Sequence, residues 1–108
     1  MTSTELYNLV RDVRRDAWPE HVQCVEPHFY RDALSLTPIH DHLLEPMFVG
    51  SMAARALELG MVIHKDHIIA TGNPPVYVVS TKGTMAKAWT GDTLIEALAA
   101  ALKEVDRV

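Results

Sequence analysis

Apolar residues near the N-terminus recur at helical spacing. Leu6, Leu9, Val10, Val13 and Ala17 share one face, and Thr2 and Glu5 stand three apart as a capping box, so the pattern predicts a helix over residues 3–17. Trp18-Pro19 should end it, because the residue before a proline is pushed out of the helical region. From residue 18 to residue 37 no period dominates. Val22-Gln23-Cys24-Val25 fits a short extended piece closed by Pro27, and His28 to Leu36 has room for a helical turn. We read this stretch as an irregular connection that lays Phe29, Tyr30, Leu34 and Leu36 over the core. A long ordered connection of this kind is a candidate functional region.

Helical spacing returns at Thr37-Pro38, a cap residue followed by a proline suited to the first helical position. Phe48, Val49, Met52, Ala53, Ala56 and Leu59 continue it, and Gly60 is placed as a left-handed cap. A second helical region is therefore expected over residues 38–59, bent or broken near 45–46 by Pro46.

The rhythm then changes to short Val- and Ile-rich runs. Residues 61–70, 76–81 and 84–89 predict three strands, separated by Thr71-Gly72-Asn73-Pro74-Pro75 and by a tight Lys82-Gly83 turn. Connections this short imply an antiparallel meander. A last helix opens at Thr93, with Glu96 three residues on as a second capping box. It should bury Leu94, Leu98, Ala101, Leu102 and Val105 and turn Glu96, Lys103, Glu104 and Asp106 to water. Its alanines make it slim enough to approach a sheet closely. The expected fold class is α+β: a three-stranded antiparallel sheet packed with N-terminal, central and C-terminal helices as a sandwich, in one domain spanning residues 1–108.

Composition narrows the function. An apolar fraction of 48% with 22% charged residues is ordinary for a globular chain, and the longest apolar runs are too short to span a bilayer. The first residues carry Thr, Ser, Glu and Asn where a signal peptide needs a basic and then an apolar stretch. The single cysteine, Cys24, excludes an internal disulfide and fits a reducing compartment. A soluble cytoplasmic protein is the expectation, with no membrane partner. The net charge of −4 argues against general nucleic-acid binding, which needs cations to displace counterions from phosphate. Arg11, Arg14 and Arg15 are the local exception, but Asp12 and Asp16 stand beside them and read as part of a solvated helix face.

Histidine is the one enriched reactive type, at six residues: His21, His28, His40, His42, His64 and His67. His40-Asp41-His42 and His64-Lys65-Asp66-His67 suggest metal ligands by composition. Their spacing resists that reading. Residues three apart on a strand face opposite ways, and residues two apart on a helix lie on different sides, so a site would draw one histidine from each cluster. Cys24 has His21 and His28 nearby as candidate bases, but proximity in an irregular segment does not supply the geometry that a nucleophile requires, and a cysteine flanked by valines reads as a small buried hydrophobe. There is no glycine-rich phosphate loop or dinucleotide fingerprint. Asp41 and Glu45, four apart, fit a solvated helix face better than a cation site.

The stretch from Ala53 to Val105 resembles the phage ABA sandwich, a small domain of phage and prophage proteins. The pieces that carry the likeness are a helix ending in glycine (Ala53–Gly60), strands at Met61–Ala70 and Val76–Thr81, and the helix start Asp92-Thr93-Leu94-Ile95-Glu96-Ala97-Leu98-Ala99-Ala100-Ala101-Leu102. Together they cover about half the chain. The resemblance implies a fold and a phage or mobile-element origin, and brings no catalytic residues. The reading that follows is a non-enzymatic protein of phage or prophage origin that works without a cofactor through protein contacts, as a homodimer or with another protein. Its sequence basis is the surplus of apolar residues at Trp18, Phe29, Tyr30, Met47 and Phe48. The alternative is a metal- or small-ligand-binding domain using His40, His42, His64 and His67. A nucleic-acid contact through the three arginines is a third possibility.

Overall fold

A computed structural model describes residues 1–26, 29–66, 76–82 and 87–106 of the chain. The first helix, α1, runs Ser3–Val10, and Thr2 caps it by accepting the Glu5 N–H at 3.2 Å. It stops well short of residue 17. The Val10 carbonyl accepts from the Val13 N–H and from the buried indole N–H of Trp18, and Arg14 turns extended before a single 3₁₀ turn at Arg15–Ala17. Burial wins over helical spacing here: breaking the helix lets Val13, Ala17 and Trp18 all enter the core.

The segment expected to be irregular holds a second sheet. Strands β1 (Val22–Glu26) and β2 (Phe29–Asp32) pair antiparallel, with Cys24 opposite Tyr30 and an irregular register toward the connection. The chain then folds back beside β2, with a bridge between Arg31 and Pro38 and a bond from the Ile39 N–H to the Tyr30 carbonyl. Pro38 thus serves an extended stretch and not a helix start. Of the four residues expected to cover the core, only Tyr30 does so. The Asp32 carboxylate accepts from the N–H groups of Leu34 and Ser35, each at 2.9 Å, and Leu36 adopts a left-handed φ of 58°. That tight turn projects Leu34, 75% exposed, and Leu36 outward, and Phe29 is also exposed.

The long helix α2, Asp41–Glu58, begins after His40 and passes through Pro46 without a break. Pro46 lies near the N-terminal end, so it removes one intrahelical bond, and the burial of Leu44, Phe48, Met52 and Ala56 along one face holds the helix together. Its C-terminus closes as the glycine predicts. Gly60 takes φ 78°, its N–H bonds the Leu57 carbonyl, and the Met61 N–H reaches back to Ala56.

Strands β3 (Val62–Asp66), β4 (Val76–Ser80) and β5 (Ala88–Gly91) form an antiparallel meander in that order. Ile63, Val79 and Trp89 align across it and pack toward the core. The loop at 71–75, Gly83 of the expected turn, the end of the first predicted strand and the start of the third lie outside the described residues. The third strand runs two residues past Trp89, to a glycine whose position is forced: a Cβ on Gly91 would stand 2.7 Å from the Ala97 nitrogen.

Helix α3, Leu94–Val105, is capped by Thr93, which accepts the Glu96 N–H at 3.4 Å. It packs against α2 and against β4 and β5. Contact on two sides explains why Ile95, Ala97 and Ala99 are buried as well as Leu98, Ala101 and Leu102. The helix end departs from expectation. Val105 is exposed while Asp106, expected in water, is 5% exposed, drawn inward by the Arg55 guanidinium. The class is α+β, with two small antiparallel sheets where one was expected. No helix among the described residues is long and apolar enough to cross a membrane.

Candidate functional site

Each group with chemical potential has a defined place. His40 precedes α2 in extended conformation, which brings its ring over His42 at a centroid distance of 5.7 Å and an interplanar angle of 24°. The expectation that these rings diverge assumed that both were helical; only His42 is. They border an open depression of about 620 Å³ with Ser3, Asp41, Phe29 and Ile39, and the Ser3 hydroxyl donates to the Asp41 carboxylate. His64 stands on β3, opposite Val78, while His28 and His67 lie outside the described residues. Among the described residues no three His, Cys, Asp or Glu side chains gather as a metal site.

Cys24 is half-buried on β1, across from Tyr30, and His21 sits in a left-handed turn with its ring 3.5 Å from the Glu20 carboxylate. Burial, and then the neighbouring Cys24 thiol, push the Tyr30 phenol well above its ordinary range. Tyr30 belongs to an internal aromatic triangle. Its ring centroid is 5.9 Å from Phe48 and 6.4 Å from Trp18, and Trp18 meets Phe48 at 5.1 Å. Three of the five apolar residues that suggested a contact surface are therefore core; Phe29 and Met47 are the two on the outside.

The arginines no longer share a helix. Arg11, Arg14 and Arg15 join Lys103 around a depression of about 740 Å³, with Asp12, Asp16 and Asp106 in the same wall. Arg11 pairs with Asp12 at 3.4 Å and Arg14 with Asp16 at 2.8 Å, while the Arg15 guanidinium lies 3.6 Å above the Trp18 ring. Beneath them, Asp106 takes both oxygens of its carboxylate to Arg55, at 2.8 and 3.0 Å, with Arg14 at 3.9 Å. The Arg55 fork holds the Asp106 carboxyl below the usual carboxylate range. Carboxylates pair with Arg11, Arg14 and Arg55 in this network, so its cations do not stand as an uninterrupted row facing phosphates.

Among the described residues, the outward side of α2 carries a row of exposed apolar side chains. Leu43, Met47, Gly50, Ala54 and Leu57 recur at spacings of four, three, four and three, directly opposite the buried Leu44–Phe48–Met52–Ala56 line. Leu57 is 61% exposed, Leu43 48% and Met47 38%. Pro46 adjoins them, and the space where a Gly50 side chain would stand is open. A surface helix ordinarily turns charge to water on this side. Here the only charged residues between His42 and Leu57 are Glu45 and Arg55, both half-buried, and Arg55 is committed to Asp106. The signal was present in the sequence as a second apolar stripe offset from the first, but the inward stripe alone accounts for a helix and drew the reading.

Comparison with protein-family models, with characterised proteins and with solved structures finds no match to this chain.

Proposed function

We propose that this protein acts through protein–protein contacts, without catalysis, and that the outward face of α2 is the surface that makes them. The observation that carries the reading is that face itself: a helix of 18 residues, apolar on both sides and covered on one. Water around Leu43, Met47 and Leu57 is released when a partner docks, which supplies the driving force. The commitment of the buried Asp106 carboxylate to Arg55 supports a structural role for that group. A phage or prophage origin, drawn from the likeness at Ala53–Val105, belongs to the same proposal.

Its test is a comparison of the wild-type chain with Met47→Glu/Leu57→Glu as bait, with bound proteins quantified, a tagged second copy included. Both side chains already face solvent, so the variant is expected to keep its unfolding temperature and lose its bound partner. Retention of the same bound set by the variant would contradict the proposal.

A further inference from the structure

We infer that His40 and His42 form a two-imidazole site for a divalent transition ion such as Zn²⁺ or Cu²⁺, independently of any docking on α2. Residues two apart on a helix diverge, which is why their spacing spoke against the pair. The fold removes that objection. Helix α2 begins at Asp41, and His40 stays extended, at φ −66° and ψ 143°. Its side chain makes no capping bond to the helix, and its ring comes to 5.7 Å from that of His42, centre to centre. Coordination geometry gives that distance a meaning. A ring nitrogen binds Zn²⁺ at about 2.1 Å, which puts the ring centre roughly 3.2 Å from the ion, so two rings on one tetrahedral ion stand ~5.3 Å apart. The observed separation is close to this. The rings lie nearly parallel, at 24°. Turning an imidazole about its Cβ–Cγ bond redirects its nitrogens while its centre stays in place, and that torsion is broad for histidine. Both residues are exposed, which leaves the rings room to turn.

The surroundings suit an open site. The two rings border the depression of about 620 Å³, which gives water access to the remaining ligand positions. Asp41 does not complete a set of three: its carboxylate is held by the Ser3 hydroxyl and contributes charge instead. That charge, with the net charge of −4, draws a cation in and offsets the positive end of the α2 dipole. Imidazole nitrogen selects Zn²⁺, Ni²⁺ or Cu²⁺ over Ca²⁺ and Mg²⁺, which prefer oxygen. His21, with its ring against Glu20, and His64, on β3, do not join the pair. With two protein ligands and water in the other positions, the ion is an exchangeable one on the outside of the fold.

Titration of the untagged full chain with Zn²⁺, followed by calorimetry and by the NMR signals of the individual imidazoles, tests the site. One equivalent should bind, and the signals of His40 and His42 should move together while those of His21 and His64 stay in place. An excess of Mg²⁺ should not compete. His40→Ala and His42→Ala should each weaken binding about a hundredfold, because the second imidazole acts as an intramolecular ligand to an ion already held by the first. His64→Ala should leave binding unchanged. The absence of stoichiometric Zn²⁺ binding to the wild-type chain overturns the site. Binding that survives in His40→Ala/His42→Ala, or that His64→Ala abolishes, overturns its assignment to this pair. Loss in only one of the two single variants overturns the shared ion.

Discussion

Asp106 shows how far one side chain can depart from its place in a pattern. It follows the last turn of α3, where a carboxylate meets the negative end of the helix dipole, and helical spacing assigns it to water. The Arg55 fork reverses this, with Arg14 adding a weaker attraction from the other side. Removing one member of such a pair leaves the other charge poorly compensated, so Asp106→Asn is expected to cost about 3 kcal/mol in a denaturant melt. The pH dependence follows from the direction of the shift. A carboxyl whose folded-state pKa is depressed stabilises the fold fully above its ordinary value of 3.8, and that contribution fades as pH falls through 3.8 toward the lower folded value. Asp32, held down by the N–H groups of Ser35 and Leu34, acts in the same direction. Melts from pH 7 down to pH 3 should therefore show stability falling with acid, and the fall should be shallower in Asp106→Asn. An equal acid limb in both proteins would show that the ion pair does not couple to folding.

At the level of elements, what could be read from the sequence was what local chemistry decides. Thr2 and Thr93 each bond the amide three residues on, and Gly60 takes the left-handed turn that only glycine adopts cheaply. The meander of β3, β4 and β5 followed from short connections. The misreadings arose where distant residues decide. Trp18 pulls the chain out of helix to reach Phe48 and the Val10 carbonyl, which no spacing in residues 11–17 announces. The pairing of β1 with β2 was hidden because no period dominates residues 18–37, and its inner face is set by distant packing, with Tyr30 in the core and Val22 and Cys24 against it. Pro46 was expected to bend or break the second helix near 45–46, but α2 runs through it as one helix, held by its core face. Replacing it restores an amide that can bond the His42 carbonyl, so Pro46→Ala should raise stability by about 1–3 kcal/mol in thermal or chemical melts. A loss of stability would mean that the proline is fitted to a local geometry and not merely tolerated.

For the molecule as a whole, the described residues set paired charge beside exposed apolar surface. In the depression, Arg11 and Arg14 pair with Asp12 and Asp16 and Arg15 lies over Trp18, while the aromatic triangle packs inside the core. The α2 face was the least legible part of the candidate site because one apolar stripe suffices to place a helix against a core, and only the folded structure shows the second stripe exposed among the described residues. Whether that face is covered in solution is the central question. Hydroxyl-radical footprinting of the full chain, alone and in complex with the protein it captures, addresses it with Leu34 as an internal exposed reference. Protection of Leu43, Met47 and Leu57 in the complex, with Leu34 labelled equally in both samples, is the predicted result. Equal labelling of Met47 and Leu57 with and without the bound protein, or protection at Leu34 in their place, would contradict the account.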